Sequence, residues 1–338
     1  CIRDSALRVS YVADDDNILG FDDGEEMAWE QFDLGGKFQP EAEQKYAGKF
    51  VALDNRTDVI SISGDNFSVK FDKNTGWLRD YAFDGTPLVE GQMRLNFWRP
   101  LTNNDRGAAL TGKLWLWRTA AERAKLAHFE AKNSTDGMGV EINALYELPA
   151  GGSTAKIRYN IRPNGKIEVR GSVNVAEKQP DLLRVGMQFA TNPKIENRKW
   201  YGLGPTENYC DRNRGVWMGE FSQSIDSSFF RYVDPQESST VTKVRTATLS
   251  GDDTPSLNIV ALDDKFFELS TYPCLPEDIE QSTHPHQLPD RGFKVVNVSA
   301  ANFGLGGVDS WGSLPTADKR ITAGKTYDFA FSISGEED

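Results

Sequence analysis

Apolar and polar residues alternate with a period of two along most of this chain. Residues 59–63, 67–71, 140–148, 155–161, 167–175, 183–190, 240–249, 258–262, 294–300 and 327–333 all show it. Successive side chains of a strand point to opposite faces, so the pattern predicts half-buried antiparallel strands. Turn signals separate them: Asn74-Thr75-Gly76, Asp84-Gly85 and Pro163-Asn164-Gly165, the last with an Asn-Gly pair that accepts the positive φ of a tight hairpin. Helical signal is confined to 119–129 and 276–283. The second begins with Pro276 and carries Glu277 and Asp278 in its first turn, where proline and acidic side chains suit a helix start. The pattern therefore predicts an all-β protein, sheet packed on sheet.

The first fifty residues read differently. Strand patterns at 9–12 and 28–34 are broken by acidic runs at 14–16 and 22–26, and a polar stretch follows at 35–49. This predicts the end of one β unit at 1–34, a linker at 35–50 and a second unit at 51–336. The second unit, roughly 280 residues with no break in composition, exceeds an ordinary sandwich and implies an enlarged one with many strands.

The chain has 338 residues, with 38 Lys plus Arg against 50 Asp plus Glu and a formal charge of −12. Such an acidic surface argues against a nucleic-acid partner or an anionic membrane. No apolar run reaches the roughly eighteen residues of a membrane span, and the amino terminus lacks a basic-then-apolar leader, which predicts a soluble chain, cytoplasmic or periplasmic. Cys1, Cys210 and Cys274 form no CxxC pair, and neither a disulfide framework nor structural zinc is expected. The absence of an initiating Met is read as the edge of a fragment of a longer chain, in preference to a lipid-bearing Cys1.

Three segments crowd polar and aromatic residues where a β protein ordinarily places simple turns: LNFWRPLTNNDRG at 95–107, YGLGPTENYCDRNRG at 201–215 and FGLGGVDSW at 303–311. Gly304, Gly306 and Gly307 allow a tight loop, and Trp311 stands among Asp309, Ser310, Gly312 and Ser313, neighbours typical of a loop and not of a core strand. A tryptophan so placed suits the flat face of a sugar ring. Arg, Asn and carboxylate groups suit its hydroxyls. In the other two segments, Arg99, Asp105, Arg106, Glu207, Asp211 and Arg212 serve equally well as ion pairs tying long loops to the sheet; both readings stay open here. Hydrolysis of a glycoside requires two carboxyl groups roughly 5 to 9 Å apart across the bond, and acidic residues in this number do not single out a pair. His128, His284 and His286 are the only histidines, and their spacing suggests no metal site.

Five motifs carry a resemblance: GEEMAWEQFDL at 24–34, FDKNTGWLRDYAFDGTPLV at 71–89, NFWRPLTNNDRG at 96–107, GLGPTENYCDR at 202–212 and FGLGGVDSWG at 303–312. Together, in this order, the sequence resembles the carboxy-terminal small-chain region of the large bacterial β-galactosidases of glycoside hydrolase family 2. The resemblance implies a galactose mutarotase-like β-supersandwich preceded by a short remnant of an immunoglobulin-like domain. It places the catalytic glutamates and Mg²⁺ in an upstream barrel of the same polypeptide, so that no catalytic residue lies in this chain and the isolated fragment is inactive. It implies a galactoside substrate and, commonly in the family, a homo-oligomer. Trp311 matches the tryptophan that stacks on bound sugar, and Gly107 the first residue of a mobile loop, here 107–111. Asn103, Asn104, Asp105 and Arg106 fall beside it; Arg99, Glu207, Asn208, Asp211, Arg212 and Asp309 are secondary candidates for contact. After Gly107 the family's polar loop residues become Ala108, Ala109 and Leu110, a departure from the pattern. A weak Na⁺ site near Asp234, Pro235, Ile279 and Ser282 is also implied. Two other functions fit such a fold: a free-standing aldose epimerase using His284 or His286 with Glu207, and a carbohydrate-binding module with an exposed aromatic platform.

Overall fold

The computed structural model describes residues 6–14, 20–35, 51–135 and 137–336. The chain divides into two units, residues 1–44 and 45–338. In the first, β1 (Ala6–Val12) and β2 (Glu26–Asp33) form an antiparallel hairpin with a bulge at Tyr11 and Val12. Leu7, Val9, Tyr11 and Phe32 are exposed on it. The expected linker at 35–50 lies outside the described residues, Gly35 apart.

The second unit is built from β3 (Ala52–Asp54), β4 (Val59–Ser63), β5 (Phe67–Asp72), β6 (Leu78–Phe83) and β7 (Thr86–Asn96), then three short helices. These are α1 (Asn103–Gly107), α2 (Leu110–Lys113) and α3 (Trp115–Arg118). There follow β8 (Lys125–Asn133), β9 (Val140–Glu147), β10 (Thr154–Ile161), β11 (Ile167–Asn174), β12 (Arg184–Thr191), β13 (Asn197–Gly204), β14 (Trp217–Ser224) and α4 (Ile225–Ser228). The chain closes with β15 (Val241–Val244), β16 (Thr246–Gly251), β17 (Thr254–Ala261), β18 (Phe267–Tyr272), α5 (Pro276–Gln281), β19 (Val295–Asn302) and β20 (Thr326–Glu336). Two nine-stranded sheets result, in the orders β15-β18-β19-β12-β7-β6-β5-β4-β3 and β14-β13-β16-β17-β20-β11-β10-β9-β8. Every strand pairing in them is antiparallel.

Alternation places the core between the sheets. Val140, Ile142, Ala144 and Tyr146 of β9 are buried, as are Ala155, Ile157, Tyr159 and Ile161 of β10. Phe71 of one sheet meets Tyr159 of the other edge-on at 4.9 Å, and Trp77 stacks on Tyr146 at 4.1 Å. Removing these faces from water holds the two sheets together. At the Asn164-Gly165 hairpin, Gly165 takes φ +81° and a Cβ there would meet the Phe67 ring at 2.9 Å. Asp84 and Gly85, both at positive φ, join β6 to β7, as a tight two-residue turn requires.

The all-β expectation and the enlarged two-sheet sandwich hold, and α5 forms where its proline and acidic first turn predict. The helix expected at 119–129 does not form: β8 occupies Lys125–Asn133, paired to β9. A register break between Leu126 and His128 interrupts its alternation, and cross-strand pairing overrides weak local preference. The run at 240–249 is not one strand either, since β15 lies in one sheet and β16 in the other. Among the described residues no helix is long and apolar enough to cross a membrane.

Candidate functional site

The first polar motif leaves β7 and folds into α1. Thr102 caps that helix: its hydroxyl accepts from the Asp105 amide at 3.2 Å, while the Asp105 carboxylate accepts from the Thr102 amide at 2.8 Å. This reciprocal arrangement satisfies two amides the helix leaves open. The same carboxylate takes the Arg99 guanidinium, Nη1 to Oδ2 at 2.5 Å and Nη2 to Oδ1 at 3.3 Å, and both side chains are buried. Arg99 Nη2 also donates to the carbonyls of Phe303 and Gly304, each at 3.4 Å. Burial disfavours its charge, but Asp105 and Glu237 hold it more firmly protonated than a free arginine. One buried cation thus ties the 99–107 segment to the root of the 303–313 loop.

That loop is held at three further places. Asn104 Nδ2 donates to the Leu305 carbonyl at 3.0 Å, and the Asp211 carboxylate accepts from the Leu305 and Gly306 amides, each at 3.0 Å. A Cβ at Gly304 would come within 2.5 Å of Asp211 Oδ2, so the close approach needs glycine. At the tip, Asp309 Oδ1 accepts from the amides of Trp311 at 2.8 Å and Ser313 at 3.2 Å, and Oδ2 from the Ser313 hydroxyl at 2.5 Å. Those bonds hold its carboxyl below the ordinary range. Gly312, at φ +81°, lies against the end of α1, where a Cβ would meet the Gly107 carbonyl at 2.7 Å. Trp311 rides on this framework 88% exposed, while Trp77, Trp117 and Trp200 are buried in the core.

Arg106 reaches sideways, donating to Asn103 Oδ1 at 3.0 Å, Asp234 Oδ2 at 2.6 Å and the Pro235 carbonyl at 3.3 Å. Asp234 and Pro235, expected at a sodium site, thus both face a guanidinium, an arrangement that does not suit a cation. No step of the function rests on one. Beyond Gly107 the chain turns through Ala109 at φ +56° into α2, with Ala108 and Leu110 buried and Lys113 Nζ on the Ala108 carbonyl at 2.8 Å.

Beneath this end lies a polar network that alternation alone did not reveal. Glu237 is buried and accepts on Oε1 from Arg184 at 3.1 Å, Thr240 at 2.8 Å and Tyr209 at 3.3 Å, and on Oε2 from Tyr272 at 2.6 Å. Arg184 Nε donates to Asn302 Oδ1 at 2.7 Å, and Asn302 Nδ2 to Glu268 Oε2 at 2.6 Å. Loss of water pushes the Glu268 carboxyl up to about 7. The only local signal was Arg184 inside the apolar run LLRVGM at 182–187.

The second motif is anchored as firmly. Asn208 is buried, its amide donating to the carbonyls of Leu203 at 3.2 Å and Thr206 at 3.0 Å and accepting from the Thr242 hydroxyl at 2.5 Å. Glu207 accepts from Arg212, from the Tyr232 hydroxyl at 2.6 Å and from the Ser239 amide at 2.8 Å. A pocket opens at Glu207, and no histidine lines it. His284 and His286 lie together with ring centroids 5.6 Å apart, His284 bonded to the Thr283 hydroxyl. The structure therefore gathers Arg99, Asn104, Asp105, Gly107, Asp211, Asp309 and Trp311 at one place. It sets Glu207, Asn208 and Arg212 beside Asp211 and does not bring a histidine to Glu207.

Comparison with known proteins agrees with the motifs. The family model described as the β-galactosidase small chain matches residues 63–333. A β-galactosidase of Priestia megaterium is 29% identical over 312 residues, covering 92% of this chain and 30% of that protein. One of Lactobacillus delbrueckii subsp. bulgaricus is 30% identical over 254 residues, covering 75% and 25%. The chain thus spans less than a third of the length of these curated relatives. A solved structure of a putative mutarotase from Salmonella typhimurium superposes with a TM-score of 0.45 at 12% identity, covering 88% of this chain and 97% of that one.

Proposed function

The chain belongs to the β-galactosidase small-chain family, and from that premise we propose that it completes the galactoside site of a longer β-galactosidase without itself cutting the bond. The observation that carries this is Trp311, the most exposed of the large hydrophobic side chains described, held on a loop that Asp211, Asn104 and the buried Arg99 fix from below and Asp309 braces from within. An indole presented on a fixed frame offers its face to the C–H face of a pyranose with little ordering cost. Asn104, Gly107 and Asp309 form the rim around it, and Asn103 and Arg106 flank it on the side of Asp234. Arg99, Asp105 and Asp211 act one step back, by holding the frame, while Asn208 fixes the neighbouring 203–208 turn.

The state of the acids supports a non-hydrolytic role. Glycoside cleavage requires one carboxyl group kept protonated and a second facing it across the bond. At this end Asp105 is paired with Arg99, Glu207 with Arg212 and Asp234 with Arg106, while Asp211 and Asp309 accept backbone amides. In this reading both catalytic carboxyls, and the Mg²⁺ of the intact enzyme, belong to a barrel on the same polypeptide. The hairpin at 6–33 closes an immunoglobulin-like domain whose other strands cover its exposed apolar residues, since a lone hairpin is marginal in water. An epimerase would need His284 or His286 facing Glu207, and the pocket at Glu207 has neither.

The test is kinetic. In the full-length enzyme, Trp311→Ala raises KM for a galactoside about tenfold, the loss expected for one aromatic face. The 338-residue chain alone leaves a nitrophenyl galactoside intact. Unchanged KM and kcat in the variant would return Trp311 to a structural role.

A further inference from the structure

The pocket at Glu207 has a volume of about 670 Å³, within the range of small-molecule sites. Glu207, Arg212, Arg214, Gln223, Phe230 and Tyr232 supply its chemistry. Phe230 is 60% exposed and meets the Tyr232 ring edge-on, centroids 4.6 Å apart. Tyr232 is fixed in turn by its hydroxyl bond to Glu207 at 2.6 Å. The pocket therefore has an aromatic wall whose orientation is set by a carboxylate.

Its polar groups are positioned but not saturated. Gln223 Oε1 accepts from Arg198 at 3.3 Å and its Nε2 donates to the Pro205 carbonyl at 3.2 Å. A primary amide has two donors and two lone pairs, so one of each is left for a ligand hydroxyl. Glu207 takes three bonds from Arg212, Tyr232 and Ser239, which leaves one of its roughly four acceptor positions. Behind Gln223, Arg198 is buried and held by the Ser239 carbonyl at 2.7 Å and hydroxyl at 3.0 Å. Ser228, also lining the pocket and buried, reaches the same Ser239 hydroxyl at 3.3 Å. The floor is thus fixed by groups that a ligand does not have to order. Along the lining, Glu207 and Asp211 offset Arg212 and Arg214, so no surplus charge selects an anion.

A rigid aromatic wall, paired donors and acceptors, and balanced charge are the chemistry that recognises a neutral sugar. We propose that this pocket is a second saccharide site, taking one neutral hexose unit independently of Trp311. The inference requires neither the barrel nor hydrolysis and stands apart from the function proposed above.

The experiment is calorimetric titration of the 338-residue chain with galactose and, separately, glucose. At least one of them binds saturably in the millimolar range, as a small site with one aromatic wall allows. Phe230→Ala weakens that binding about tenfold and Trp311→Ala leaves it unchanged. Phe230 is exposed, so the variant keeps the fold, which circular dichroism verifies. The proposal is overturned if neither sugar binds up to about 100 mM. It is overturned equally if binding survives Phe230→Ala and is lost in Trp311→Ala, or if sulfate displaces the sugar, which would mark an anion site.

Discussion

Two regions of this molecule use the same residue types to different effect. On the outer face of β8 to β11, Arg158 pairs with Glu141 at 2.9 Å, Lys132 with Glu130 at 3.0 Å and Arg170 with Asp263 at 2.8 Å, with one or both partners well exposed. Beneath the Trp311 loop, Arg99 pairs with Asp105 with side-chain exposures of 0% and 3%. The Arg158–Glu141 pair joins β10 and β9, which a backbone ladder already holds, and water screens all three exposed pairs. The buried pair joins segments two hundred residues apart in sequence, the helix cap at Thr102 and the carbonyls of 303 and 304. Breaking it leaves a buried cation that keeps its carbonyl partners but has lost its paired carboxylate. Burial, not the presence of an ion pair, decides which charges shape the site.

Asp105→Ala is the strongest way to break that contrast. It removes the cap and strands the Arg99 cation, and a loss of about 3 to 5 kcal/mol in urea unfolding is expected. A loss below about 1 kcal/mol would put the buried pair on a level with the surface ones.

Glu268 sharpens the contrast through pH. Its carboxyl titrates near 7 in the folded chain against 4.5 for a free one, because burial disfavours the charge. The folded state therefore keeps a proton that the unfolded state releases, and stability falls as pH rises from 4.5 to about 7. Glu268→Gln cannot ionise, so its unfolding midpoint gains on the parent across that window. Parallel curves for the two proteins would show Glu268 charged throughout.

Asp211→Ala removes two amide bonds at the root of the loop, about 1 to 2 kcal/mol. Faster hydrogen exchange at Leu305 and Gly306 is expected, with exchange in β9 and β10 unchanged. Arg158→Ala, on the exposed face, costs less than about 0.5 kcal/mol and nothing at high salt. A larger, salt-independent loss there would erase the distinction between the two regions.

Much of the fold was legible because period two is a local property. The strands at β4, β5, β9, β10, β11 and β20 fall where alternation puts them. It failed where pairing irregularities break the period, as in β8, and where one run feeds two sheets, as at β15 and β16. The 95–107 and 303–311 segments were legible as polar clusters, and Trp311 as exposed. Which of their charges would be buried was not: Arg99 and Arg106 stand seven residues apart in one motif, yet only Arg99 is sealed from water.

By itself the sequence determined the all-β class, the turns at Asp84-Gly85 and Asn164-Gly165, the loop character of 303–311 and, through five motifs, the family. Each depends on neighbours within about a dozen residues or on matching words along the chain. Only the tertiary structure decided that Arg99, Asp105, Asn104 and Asp211 converge under one tryptophan, that Arg184 and Glu237 meet below them, and that Phe230 and Gln223 share a pocket with Glu207. These meetings join distant segments through burial and strand order, and neither quantity is written in local alternation.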